Sequence, residues 1–419
     1  MIGNFFDIPE HLRELDGIVM SQVADKFAEI DSIVEYNQQK VLSAFIKNGV
    51  GASSFSGSTG YGLDDRGRDL LDRVAADALG TEAALMRLNF VSGTHALTVA
   101  LFGLLRPNDT MLCVTGRPYD TLLGVLGING ESSGSLREFG IGYDEVPLNE
   151  NGTVCLDGIE DKLRKNTYKI VYIQRSRGYS LRPSLTVCDI ENIVRVAKRV
   201  APNTPVVVDN CYGEFTQMRE PSDVGADLII GSMIKNVGGG ISPTGGYIAG
   251  RADLVEQCSY RLTAPCAGGE LGATLGHTRE MMMGFFNAPH LTGEALKLAV
   301  YSAALFERLG YEVTPRYDAP RGDIVQSLVL GTPEKLVGFC RGIQHGMPID
   351  SFLRPDPSPM PGYDCDIIMA AGGFTLGATG ELSADAPLRE PYAVWMQGAL
   401  NFHSAKIGVL IAASSMTDG

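Results

Sequence analysis

Five short stretches of this chain place polar residues directly after apolar runs. The runs read as buried strands, so these residues fall where a parallel sheet presents its carboxyl edge. They are Ser92-Gly93-Thr94-His95, Tyr119-Asp120-Thr121, Gln174-Arg175-Ser176-Arg177, Asp209-Asn210, and Ser232 with Lys235. Lys235 follows "ADLIIGSMI", and a lysine at the end of a core strand needs a partner or a purpose. Asp209 ends the run "VVVD", where a carboxylate suits chemistry or, more plainly, a turn or helix cap. "SGTHALTVALFGLL" opens a helix on a small glycine-containing turn, which leaves N–H groups free for an anion. The plainer reading is an ordinary cap by Ser92 or Thr94. Tyr119 is either a flat surface at another strand end or a half-buried core tyrosine.

Taken together, an amine, a carboxylate, an anion-binding helix start and an aromatic plate are what pyridoxal 5'-phosphate requires. Lys235 would form the Schiff base and Asp209 would pair with the pyridinium nitrogen. The helix start would take the phosphate, and Tyr119 would stack on the ring. Gly238, Gly239 and Gly240 are expected to give the cofactor room by letting the backbone approach. A lysine that then takes a proton from the substrate Cα must be neutral, so its pKa is expected to be depressed.

The elements that must hold these residues follow from periodicity. Residues 10–48 carry apolar positions at helical spacing up to a terminating Asn-Gly. A Gly- and Ser-rich loop follows, "VGASSFSGSTGYGLDDRGR", with Tyr61, Arg66 and Arg68 in it. From 70 to about 290, strands and helices alternate, which predicts an α/β domain with a mostly parallel sheet flanked by helices. Beyond that, helices at 293–310 and 333–346 and strand-like segments at 323–331, 365–373 and 406–414 predict a smaller C-terminal α/β domain. The expected organisation is an N-terminal helical arm over 1–50, a large cofactor-binding domain over 51–290 and a small domain over 291–419.

Composition excludes several classes. The 419 residues carry 35 Lys and Arg against 49 Asp and Glu, a net charge of −14, which argues against nucleic acid or an anionic membrane as the main partner. The eight cysteines show no C-x-x-C spacing and read as free thiols in a reducing compartment. The six histidines form no H-E-x-x-H pair, so no metal site is expected. "NVGGGISPTGG" contains neither a G-x-G-x-x-G turn that opens a helix nor a G-x-x-x-x-G-K-[ST] loop, which counts against a nucleotide-binding enzyme. With no apolar run of membrane-spanning length and no leader pattern at the start, a soluble cytoplasmic protein is expected.

Several longer segments sharpen this. "GYGLDDRGRD", "SGTHAL", "QRSRGYSLRPSLT", "VVVDNCYGEF", "GADLIIGSMIKNVGGGISPTGGYIAG" and "MPGYDCDIIMAAGGFTLGATGELSADAPLREPY" resemble the methionine gamma-lyase-like proteins, also labelled aluminium resistance proteins or cystathionine beta-lyases. These are fold-type-I pyridoxal-phosphate enzymes, and the resemblance covers nearly the whole chain. It implies Lys235 as the Schiff-base lysine, Asp209 as the ring-nitrogen partner and Tyr119 as the ring-stacking tyrosine. It further implies Gly93, Thr94 and Ser232 as phosphate contacts. Tyr61 and an arginine, Arg68 or Arg66, would reach into a neighbouring subunit's site, which makes the protein a homodimer or homotetramer.

The chain departs from related lyases in three places. It lacks their Tyr-x-Arg spacing, it has Ile234 where they have a threonine before the lysine, and it carries "QRSRGYS" in place of an Asn-Pro segment. Arg175 or Arg177 would therefore hold substrate or phosphate, or simply belong to an exposed loop. Arg389 is the first candidate for the substrate carboxylate, because a guanidinium binds it bidentately; Arg354 is the second. The implied activity is a carbon–sulfur lyase that turns a sulfur amino acid of the cystathionine or methionine type into a 2-oxo acid, ammonia and a thiol. Tyr119 would protonate the leaving sulfur. The competing readings are an aminotransferase and a non-catalytic binding protein of the same fold, since one scaffold hosts many chemistries.

Overall fold

The computed structural model describes residues 3–130, 133–360, 364–377 and 379–416, so Pro361, Gly362, Tyr363 and Ala378 of the last quoted segment lie outside it. The chain forms two compact units, one of residues 36–288 and one of residues 1–35 with 289–419. Two helices lead in, α1 (Glu10–Gln22) and α2 (Ala24–Lys47), where the sequence suggested one. In the larger unit follow α3 (Arg66–Ala78), β1 (Ala83–Arg87), α4 (Gly93–Leu104), β2 (Thr110–Cys113), α5 (Asp120–Leu126), β3 (Gly142–Glu145) and α6 (Leu156–Lys165). Then come β4 (Ile170–Gln174), α7 (Val187–Val200), β5 (Val206–Asp209), β6 (Leu228–Ser232), β7 (Gly246–Gly250) and α8 (Ala252–Leu262).

The large sheet has the order β1-β7-β6-β5-β4-β2-β3. The ladders β2–β3, β2–β4, β4–β5 and β5–β6 are parallel, and β7 is antiparallel to both its neighbours. Both faces are covered, which is why the strands read as unbroken apolar runs. Along β4, Ile170 and Tyr172 enter one core with α4 and α8. Val171 and Ile173 enter the opposite core with α3, α6 and α7. The same alternation holds for Val207 against Val206 and Val208 in β5, and for Ile230 against Ile229 in β6. This two-sided burial fixes the register, and so fixes which residues reach the carboxyl edge.

The helix α9 (Thr278–Arg308) is longer than expected and contains Pro289, where the second unit resumes. That unit holds β8 (Glu312–Thr314), β9 (Gln326–Val329), α10 (Pro333–His345), β10 (Ile367–Ala370), β11 (Ser383–Pro387), β12 (Ala393–Gln397) and α11 (Phe402–Ser415). Its sheet is antiparallel, in the order β10-β11-β12-β9-β8. Helix α1 joins this unit through a buried cluster: Tyr301 Oη donates to Asp16 Oδ1 at 2.9 Å, and Lys406 Nζ pairs with the same carboxylate at 2.8 Å.

The strand-like reading of 406–414 is corrected by α11. Asn401 Oδ1 caps this helix by accepting from His403 and Ser404 N–H. Small residues at four-residue spacing bring α10 and α11 together, and a Cβ on Gly346 would stand 2.3 Å from Gly408 Cα. The run from Ile407 to Ala413 is apolar on every face and so carries no 3.6-residue signature, and periodicity alone cannot tell such a helix from a strand.

Candidate active site

The site is built where the parallel strands end. Asp209 is the last residue of β5, Ser232 the last of β6 and Gln174 the last of β4. Helix α4 starts on the same side. Ser92 caps it by accepting from His95 N–H at 3.0 Å, which settles the choice between Ser92 and Thr94. Thr94 is left to meet Tyr119, their hydroxyls 3.1 Å apart. Gly93 brings the helix start against β6, and a Cβ there would lie 3.1 Å from Ser232 Cβ and 3.5 Å from Cys211 Sγ. Ser232 Oγ is buried there without a hydrogen-bond partner. A buried hydroxyl left unmatched beside a helix N-terminus is a costly arrangement that an anion would satisfy.

Asp209 is 4% exposed. Its Oδ1 accepts from Cys211 N–H at 3.1 Å, and Tyr172 Oη approaches Oδ2 at 3.5 Å. Burial pushes this carboxyl above the usual range, and Lys235 pulls it back only in part. Burial lowers the Lys235 amine, but Cys211, Tyr212, Asp209 and Tyr119 around it more than offset that, and it titrates above the usual lysine range. The expected depression is thus corrected for the free side chain. With a buried carboxylate as partner, the ammonium is the favoured form.

Tyr119 is positioned by Gln174, whose Oε1 accepts from Tyr119 N–H at 2.8 Å. Burial and the Asp209 charge raise its phenol well above the normal range, so the hydroxyl keeps its proton. The glycines after Lys235 do other work than expected. A Cβ on Gly238 would stand 1.5 Å from Met233 O, and Gly284 backbone lies against both Gly238 and Gly239. They close the lysine turn onto the start of α9 rather than widening a pocket.

Several arginines have internal roles. Arg175 is fully buried; its Nη1 donates to Asn210 Oδ1 at 2.7 Å, its Nη2 to Thr216 Oγ1 at 3.2 Å, and it pairs with Glu220 at 3.7 Å. It braces the turn after Asp209 and is no exposed loop residue. Arg177 is also buried, at 2% exposure. Arg68 is buried and donates to Gly62 O at 2.6 Å and Gly272 O at 3.3 Å, pinning the arm loop within its own chain. Arg66 and Tyr61 are exposed. In the smaller unit, Arg389 is exposed and donates to Asp364 at 3.1 Å. Arg354 is exposed as well.

Two site residues escaped the sequence reading. Tyr212 lays its ring against Lys235, with Nζ 3.7 Å from the centroid. Glu214 is fully buried and accepts from Tyr247 Oη at 2.9 Å. Their only sequence signal is proximity to Asp209 in "DNCYGEF".

The methionine gamma-lyase family profile matches residues 13–417. The chain belongs to this family. A crystal structure of a carbon-sulfur lyase involved in aluminium resistance from Clostridium novyi NT is 50% identical, covers 97% of this chain and 96% of its own, and superposes with a TM-score of 0.94. An uncharacterized protein of Bacillus subtilis, YnbB, is 46% identical over 97% of both chains. The fold is that of the type-I pyridoxal-phosphate enzymes. A pyridoxal-5'-phosphate-dependent protein from Escherichia coli, YhfS, shares it with a TM-score of 0.65 at 16% identity, covering 93% of this chain and 97% of its own. Among the described residues no helix is long and apolar enough to cross a membrane.

Proposed function

We infer that this member of the family is a pyridoxal-phosphate-dependent carbon–sulfur lyase acting on a sulfur amino acid of the cystathionine or methionine type. The observation that carries the cofactor assignment is the partnerless buried Ser232 hydroxyl beside the start of α4, in the same strand-end cluster as Lys235 and Asp209, and membership of the family supports the lyase chemistry. Gly93, Thr94 and Ser232 would hold a phosphate, Asp209 the ring nitrogen, Tyr119 the ring face, and Lys235 the aldehyde carbon. When bound, the cofactor withdraws electrons from the substrate Cα.

The chain supplies the rest. Lys235 carries the proton to and from Cα, which requires its amine to become neutral; Asp209 favours the ammonium less once its carboxylate is engaged by a ring N–H. Tyr119 keeps its proton near neutral pH and can hand it to a departing sulfur. Arg177 and Arg389 remain the candidates for the substrate carboxylate. In a homo-oligomer with shared sites, Tyr61 and Arg66, exposed on the loop that Arg68 pins, would be the side chains offered to a neighbour. The products are a 2-oxo acid, ammonia and a thiol.

The test is direct. Protein given pyridoxal phosphate should show a visible absorption band, and borohydride should fix the cofactor on Lys235 in a peptide map. Release of thiol and 2-oxo acid from cystathionine or methionine should then disappear in Lys235→Ala. A Lys235→Ala protein that still turns over either substrate would sink the reading. A wild type that forms amino acid from added 2-oxo acid without thiol would replace the lyase with an aminotransferase.

A further inference from the structure

Tyr212 has no part in the functional reading above, yet the structure holds it in place at a cost. Its backbone is left-handed, with φ 69°, a conformation that aromatic residues avoid. Core packing does not explain this, because the side chain is only half-buried. The turn around it is braced from below. Gly213 N–H donates to Asn210 O at 2.9 Å and Thr216 N–H to Gly213 O at 3.2 Å. Arg175 lies so close beneath that a Cβ on Gly213 would stand 2.5 Å from its Cδ. The same turn is tied to the lysine turn, since Asn236 Nδ2 donates to Glu214 O at 2.9 Å. This bracing aims the ring at one atom, with Lys235 Nζ 3.7 Å from its centroid. Strain held by a buried network at a reactive group is the mark of a functional constraint.

We propose that Tyr212 is a catalytic residue of this site, its ring face binding the Lys235 nitrogen in the cationic form and aiming it. The proposal rests on the reading that Lys235 is the reacting amine. An aromatic face attracts an ammonium and is indifferent to a neutral amine. Tyr212 therefore favours the proton-bearing state of Lys235 and returns it to one position after each proton transfer. Asp209 attracts the same cation, the buried carboxyl of Glu214 joins it only in alkaline solution, where it loses its proton, and Cys211 and Tyr119 complete its surroundings. The ring adds to their charges a contribution that the phenol hydroxyl does not supply.

The experiment compares Tyr212→Phe, Tyr212→Asn and Tyr212→Leu as cofactor-loaded proteins. Asparagine tolerates the left-handed backbone, and leucine keeps the bulk without the π face. The readouts are the pH titration of the visible band and the pH dependence of kcat. In the Asn and Leu variants the midpoint should fall by about one pH unit, the scale of a partly buried cation–π contact. The low-pH limb of kcat should move the same way, and kcat should drop about tenfold, as a loss of that size implies. Tyr212→Phe should titrate as the wild type does. A wild-type midpoint in both ring-less variants, or an equal shift in the Phe variant, overturns the proposal. Borohydride labelling of Lys235 separates this from the parent reading: a wild type that takes no label there fails the cofactor assignment itself, and Tyr212 with it.

Discussion

Replacing Glu214 with glutamine should change how the protein's stability depends on pH while leaving its fold intact. Glu214 is fully buried, with Tyr247 Oη donating to its Oε1 at 2.9 Å. Burial pushes its carboxyl from 4.5 up to about 8, with Glu220 adding to the rise, and the hydrogen bonds and Lys235 oppose it only in part. The unfolded chain releases this proton at the ordinary carboxylate value, so the folded state binds a proton that the unfolded state has lost. The contribution to stability is therefore complete below about pH 4.5 and is lost as pH rises through about 8. At ~1.36 kcal/mol for each tenfold change in the proton equilibrium, the full loss is roughly 5 kcal/mol, of which about 3 kcal/mol is gone at neutral pH. Glutamine is neutral throughout and still offers Tyr247 an acceptor. Relative to wild type, Glu214→Gln should gain less than about 1 kcal/mol near pH 5 and several kcal/mol near pH 8. Guanidinium unfolding midpoints at matched pH values, converted with a common m-value, measure this. A difference that stays constant from acid to alkaline pH would refute the argument, because it would mean that the buried carboxyl titrates normally.

Other changes test the site and its frame. Ser232→Ala should weaken pyridoxal phosphate binding about tenfold, the worth of a hydrogen bond to a charged group, and leave binding of dephosphorylated pyridoxal unchanged in the same absorbance titration. Gly238→Ala places a Cβ 1.5 Å from Met233 O, so it should lower the thermal midpoint sharply or abolish soluble yield. Arg175→Met leaves Glu220 buried beside no guanidinium; roughly 3–5 kcal/mol of stability should be lost, read by denaturant titration.

The larger unit's α/β plan was legible in the chain because strands buried on two faces must be apolar throughout, and helices between them must repeat every 3.6 residues. The same logic exposed Asp209, Ser232 and Lys235, since a polar residue closing such a run is conspicuous. Periodicity failed where the sequence is apolar on every face, as in α11, and where strands are short or bounded by Gly and Pro, as in β7 and β11.

What the sequence determined by itself is which residue types stand at the strand ends and which family the chain resembles. What only the tertiary structure decided is the partner of each. Arg68 and Arg175 look alike on paper as available cations, and both are committed to holding turns of their own chain. Gly238 and Gly239 look like room for a ligand and instead meet the backbone of α9. Tyr212 has no signal in the sequence beyond its closeness to Asp209, yet its ring lies on Lys235. Hydrophobic pattern reports how deeply a residue is buried. Which atom faces it depends on contacts between distant segments, and those exist only once the sheet has brought its strand ends together.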